Sequence, residues 1–493
     1  MKRGLLAAAF AASLVAVLVF AGVLLQGRRA ADAEPLLVYC GAGLRVPVEA
    51  AARAFEKATG RRVELQYGGS QTLLANAQAS GRGDLYVPAD DLFVARARER
   101  KLLAEVFALA RMAPVLAVRK TNPKGIRSVD DLLRPDVKLS LPNPDAAAAG
   151  TLFREALRKT ARWEAVEKAT AVFKPTVNDV GNDLRLGAVD AGILWDALLS
   201  QVPEAETVPL PELAGVEASV SAGVLRSSAD PAAALRLARW LAAPDRGGRD
   251  FAAAGFRPSG GDAWEDRPRL VVHAGAMLRP GLERTIAEFE AREGVEVVTT
   301  YNGCGILVAQ MKAGERPDLY FACDASFMTM VKDLYETPVD VTLNQLVILV
   351  KKGNPHGIRR LRDLARPGLR VGVGNEKQCA LGELTQTALR EEGVRADVER
   401  NIVVRTPAGD MLANQMRVGS LDAAVTYLSN ATGAGDTLEA VPVDLPCALA
   451  TQPVAVGKAS PRKALASRLV EAFLSPASRG RFEAWGFRWK VAR

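Results

Sequence analysis

LLVYCGAGLRVPVEAAARAFEKATGRRVELQYGGSQTLLANAQASGRGDLYVPAD, running from Leu36 to Asp90, returns as LVVHAGAMLRPGLERTIAEFEAREGVEVVTTYNGCGILVAQMKAGERPDLYFACD from Leu270 to Asp324. The two stretches align without a gap, and 21 of the 55 pairs are identical. Chance does not produce that. The match resumes where NPKGIRSVDDLLRP (Asn122 to Pro135) answers NPHGIRRLRDLARP (Asn354 to Pro367). It closes with AAAGFRP (Ala252 to Pro258) against EAWGFRW (Glu483 to Trp489). A unit this long lies far above the roughly 20–45 residues of solenoid repeats, so two whole domains stand in tandem.

Each copy opens with a short apolar strand, LLVYC (Leu36 to Cys40) or LVVHA (Leu270 to Ala274). A glycine turn follows, then an amphipathic helix with Val48, Ala51, Ala52 and Phe55 at helical spacing in the first copy. That helix is predicted to stop at Gly60, and its counterpart at Gly294. RVELQY or EVVTTY reads as a second strand, and DLYV or DLYF as a third. The β-α-β-α-β order predicts a mostly parallel sheet covered by helices. Ser259 to Pro268 (SGGDAWEDRP) is polar and rich in turn residues, and reads as a linker. The expected organisation is therefore residues 1–34 as a leader, 35–258 as the first module, 259–268 as the link and 269–493 as the second module.

Four places per copy put a glycine or small residue directly before a helix. In the first they are Gly41-Ala42-Gly43, Gly68-Gly69-Ser70, Ala148-Ala149-Gly150 and Val180-Gly181. In the second they are Gly275-Ala276-Met277, Gly303-Cys304-Gly305, Ala380-Leu381-Gly382 and Asp410-Met411. Helix N-termini carry unpaired N–H groups at a positive dipole end, and small residues let an anion approach them. Two readings stand side by side: ordinary strand-to-helix turn chemistry, or a cage for a small oxyanion built without Lys or Arg.

Composition removes other classes. The net charge of +8 is mostly Arg spread along the chain, and aromatics are only 6%, so the clustered basic stripe of a nucleic-acid binder is missing. The 49% hydrophobic content is enough for large cores. No G-x-S-x-G elbow, P-loop or H-E-x-x-H occurs, and neither His273 nor His356 has a partner at metal-ligand spacing. These absences point away from an enzyme, and no cofactor is expected.

The N-terminus reads as an export signal: Lys2 and Arg3, an apolar run from Gly4 to Leu25, and Ala31-Asp32-Ala33 as a small-x-small cleavage site. The run is long enough to span a bilayer, so cleavage and retention as a transmembrane anchor (residues 4–25) are both open. Either way the modules work outside the cytoplasm, in a periplasm or its equivalent. Five cysteines (Cys40, Cys304, Cys323, Cys379, Cys447) leave at least one unpaired in a monomer. Cys304, Cys323 and Cys379 sit at strand ends or helix starts, as a disulfide pair or as candidates for a soft metal ion.

Both copies resemble the molybdate-type periplasmic substrate-binding proteins of ABC transporters. YCGAGLRVPVE, YGGSQTLL, GDLYVPAD, VNDVGNDLRLGAVDAGILWDA and AAGFRP carry the resemblance in the first copy. HAGAMLRPGLE, YNGCGILVAQM, PDLYFACD, GNEKQCALGELT, LDAAVTYLSNA and EAWGFRW carry it in the second. It implies an α/β fold of two tandem bilobal type II periplasmic-binding-protein modules, each with two mostly parallel-sheet lobes and a hinge cleft. The implied ligand is a small oxyanion of the molybdate or tungstate kind, and the implied partner an ABC-transporter permease. Carried over, the contact positions are Ala42, Ser70, Ala149, Val180 and Trp195, and in the second module Ala276, Cys304, Leu381, Met411 and Tyr427. The rival readings are a membrane-anchored sensor or scaffold of the same fold, and thiol-dependent metal binding in the second module.

Overall fold

The computed structural model describes residues 34–432 and 435–491. The chain divides into two compact units, Met1–Trp264 and Glu265–Arg493, and each closes its own hydrophobic core.

In the first unit the opening strand Leu36–Gly41 lies between Val63–Gly68 and Leu85–Val87, parallel to both. The helix Arg45–Thr59 crosses back over this sheet and buries Pro47, Val48, Ala51, Ala52 and Phe55, the face its spacing predicts. It stops at Gly60, whose φ of 72° suits glycine and few other residues. The rest of the sheet is antiparallel, formed by Ala218–Leu225, Leu103–Met112 and Arg257–Pro258. A second sheet of five strands repeats the scheme. Leu139–Pro142 pairs in parallel with Thr170–Lys174 and Ala191–Trp195, and Pro114–Arg119 and Ala205–Val208 complete an antiparallel half. Each lobe is thus mixed, parallel where strands feed helices and antiparallel where the chain crosses between lobes.

The crossing falls at Ala113. Leu103–Met112 belongs to one sheet and Pro114–Arg119 to the other. Ala113 leaves the ladder because the Asp196 carboxylate takes its N–H (2.9 Å) and the Asp196 N–H takes its carbonyl (2.9 Å).

The second unit keeps the architecture with one change. Val339–Lys351 runs unbroken through both lobes. Its first half pairs with Leu449–Val456, and its second half with Ala423–Tyr427 and Leu438–Pro442. Hydrogen bonding therefore joins the two lobes into one sheet of ten strands. At the crossing stands Gln345, whose side-chain amide donates to the carbonyls of Val443 (2.7 Å) and Ala448 (3.2 Å).

One expectation is corrected. Among the described residues no helix is long and apolar enough to cross a membrane, which contradicts the transmembrane reading. The run Gly4 to Leu25 that prompted it, and the cleavage motif at 31–33, lie outside the described residues.

Candidate functional site

In open α/β sheets ligands sit beyond the carboxyl ends of parallel strands, where helices begin. In the first module these ends converge on a small cavity of about 240 Å³, counted with the solvent at its mouth. Its wall is Gly41 to Gly43, Gly68 to Ser70, Ala89, Ala147 to Ala149, Thr176, Val177 and Trp195, with no Lys or Arg among them.

Three helices start on this wall, at Ser70, Ala148 and Val177, and their first-turn N–H groups have no intrahelical acceptors. Ser70 is fixed twice: its hydroxyl accepts from the Ala89 N–H (3.1 Å), and its carbonyl accepts from the Tyr86 hydroxyl (2.8 Å). The Ser70 proton is therefore left for another acceptor. The Trp195 indole closes the far side against Gly43, where an added Cβ would fall 3.1 Å from Nε1.

The lobes meet here. The Gln71 N–H donates across the cleft to the Ala146 carbonyl (3.0 Å). A Cβ on Gly69 would sit 2.7 Å from that oxygen and 3.0 Å from the Pro175 carbonyl. The module is shut, and only glycine lets it shut so far.

Four of the five residues singled out in this module line the cavity: Ala42, Ser70, Ala149 and Trp195. Val180 does not. It lies in the interior of the helix Val177–Arg185, buried, and fills the space beside Gly192. The helix begins at the Thr176 cap, so Thr176 and Val177 hold the place assigned to Val180. The legible signal was the capping box: Thr176 Oγ1 accepts from the Asp179 N–H, and Asp179 accepts from the Thr176 N–H (3.1 Å).

The second module repeats the closure. The Gly305 N–H donates to the Gln378 carbonyl (2.9 Å), and a Cβ on Gly303 would fall 2.4 Å from the Pro407 oxygen. Ala276 opens the first turn, and Leu381 lies in the first turn of the helix Ala380–Glu391. Cys304 holds Ser70's place but is joined to Cys323 in a disulfide. The bridge packs against Gly275, whose added Cβ would meet Cys323 Sγ at 3.0 Å and Cys304 Sγ at 3.3 Å. Tyr427 is buried, and its hydroxyl has no hydrogen-bond partner. Burial pushes that phenol well above its usual range. Met411 is 44% exposed and lies in the first turn of the helix Gly409–Arg417, which opens at Gly409.

The metal reading also falls. Two of its three cysteines are spent in the disulfide, and Cys379 is a free buried thiol. Among the described residues no group of three or more His, Cys, Asp or Glu could hold a metal ion. His273 is buried with Nε2 3.2 Å from Glu315, and burial lowers its pKa. His356 lies near Asp422, 3.8 Å away. Asp84 and Asp318 brace strands, accepting from the Leu37 and Val271 N–H groups (2.8 Å each).

A binding protein of Haemophilus influenzae is 28% identical over 229 residues, covering 46% of this chain and 93% of that protein. The molybdate-binding protein of Mycobacterium tuberculosis is 27% identical over 223 residues, 44% of this chain and 84% of the other. Among solved structures, the periplasmic molybdate-binding protein of Azotobacter vinelandii is 18% identical with a TM-score of 0.39, covering 45% of this chain and all of its own. The pattern of the family described as bacterial extracellular solute-binding protein matches residues 36–257 and again 270–488. Matched once in each unit, the chain belongs to the bacterial extracellular solute-binding proteins, in a tandem form of two solute-binding modules.

Proposed function

We propose that each module takes a small oxyanion, of the molybdate or tungstate kind, between its lobes outside the cytoplasm. The closed form then presents it to the permease of an ABC transporter. Ala42, Ser70, Ala149 and Trp195, with Thr176 and Val177, are the contacts in the first module. Ala276, Cys304, Leu381 and Tyr427, with Gly409, are their counterparts in the second. The modules on this reading are 35–258 and 269–493, joined by 259–268.

The observation that carries it is the cage at Ser70. Three helix starts and one hydroxyl face a cavity with no cationic side chain on its wall. Such a site holds negative charge through main-chain dipoles. Contacts made by both lobes favour the shut state, so binding shifts the hinge equilibrium. Relatives named for molybdate support the choice of anion. The test is calorimetry of the full chain against molybdate, tungstate, sulfate and phosphate. Saturable heat with at least one of them is expected, and silence with all four refutes the reading.

A further inference from the structure

We propose that the first module is built for an organic oxyanion: a compact anionic head in the cage, joined to a tail whose second negative charge lies against Arg45. This rests on the oxyanion reading of the cage and goes beyond it in naming the class of molecule. Beside the cage lies a vestibule of about 1020 Å³, again counted with its open side. The two spaces share Ala42, Gly68, Thr176 and Val177 on their walls and so adjoin one another.

The vestibule wall has the chemistry of a binding surface. The Arg45 guanidinium lies 4.3 Å from the centroid of the Tyr67 ring. It makes no ion pair among the described residues, because the neighbouring Glu49 pairs with Arg53 instead. Three buried polar atoms on this wall have no hydrogen-bond partner: the Tyr67 hydroxyl, Asn178 Oδ1 and Gln201 Nε2. Arg185 is held in place by the Gln201 carbonyl (2.8 Å). The carboxylate on the wall, Asp179, is engaged by the Thr176 hydroxyl (2.6 Å) and N–H.

The second module shows the contrast. Its matching arginine, Arg279, is paired with Glu283 (2.6 Å) and feels the charge of Asp410, which stands where the first module has Asn178. The second module's counterpart of Arg45 is thus neutralised where Arg45 is not, so the two clefts should differ in the guest they take.

The experiment is calorimetry of the full chain with inorganic phosphate, molybdate and 3-phosphoglycerate, a phosphate ester bearing a carboxylate. Gly69→Ala, which hinders closure of the first module alone, identifies its share of the heat. At that site 3-phosphoglycerate should bind about tenfold tighter than phosphate. Arg45→Gln should lower 3-phosphoglycerate affinity about tenfold more than phosphate affinity. Asn178→Asp, which copies the second module, should do the same by adding a negative charge. Equal affinity for ester and inorganic ion, or equal loss of both in Arg45→Gln, overturns the proposal and leaves the oxyanion reading standing. No heat from any of the three anions at the first site removes the oxyanion reading as well. Arg45 is exposed, so its replacement tests binding without a cost in folding.

Discussion

Ser70 shows how much one side chain decides. Its hydroxyl accepts from the Ala89 N–H, which leaves its proton free to donate. A hydrogen bond to a charged group contributes about 1.5–3 kcal/mol, so Ser70→Ala should weaken anion binding in the first module by one to two orders of magnitude. Calorimetry with the full chain reads this, and an unchanged affinity would mean that the hydroxyl faces no guest. Asp90 gives a pH signature. It caps the helix Asp91–Glu99, and burial pushes its carboxyl up to about 6 against the hydrogen bond from the Leu92 N–H. The folded chain thus holds this proton more tightly than the unfolded one. Its contribution is most favourable below about pH 4, falls as pH rises towards 6, and then stays at a cost of about 3 kcal/mol. Asp90→Asn keeps the cap oxygen and removes the charge. Its melting temperature should rise at pH 7 and match the parent at pH 4; a gain of equal size at both would rule out the ionisation. That Ala42, Ser70, Ala149 and Trp195 would come together on one wall was legible, because small residues before helices and a strand-ending aromatic leave marks in sequence. Val180 was misplaced because the mark of that helix is its cap, Thr176 with Asp179, rather than its glycine. The pairing of Cys304 with Cys323 was open because three thiols faced one cleft and only tertiary distance chooses between them.

Helix starts and the turns before them carry the closure. Gly69 has φ −67° and ψ 145°, which alanine adopts freely, so Gly69→Ala leaves the lobe folded. Its methyl group would nevertheless press on the Ala146 and Pro175 carbonyls of the other lobe. The open state should gain, and anion affinity should fall about tenfold or more. Small-angle scattering of the variant with saturating anion checks this, since a fully shut first module would contradict it. The disulfide concerns one lobe only, joining a helix start at Cys304 to the strand end at Cys323. Closing a loop of 19 residues contributes about 3 kcal/mol by restricting the unfolded chain. Cys304→Ser combined with Cys323→Ala rebuilds the first module's Ser70 and Ala89 arrangement. The double variant should lose about that stability in the second module while gaining anion affinity there; loss of both would show that the bridge is needed to shape the cleft.

Across the whole chain, duplication is what made the fold readable. One copy offers weak motifs, whereas the same order of strands, turns and small residues seen twice leaves little choice of architecture. Each unit has its own core, so thermal unfolding should show two transitions, and reductant should lower only the one belonging to the second unit. Differential scanning calorimetry with and without a thiol reductant decides it; a single transition that moves as one would deny the units their independence. What the sequence concealed was the crossing between lobes. Ala113 and Gln345 look interchangeable in a list of residues, yet one interrupts a strand and the other extends it, because Asp196 competes for the ladder hydrogen bonds in the first module alone. A broken strand bends at its break, while a strand of 13 residues bends only by twisting its whole length. The first module thus crosses between its lobes through a single residue outside the strands, and the second through an unbroken ladder.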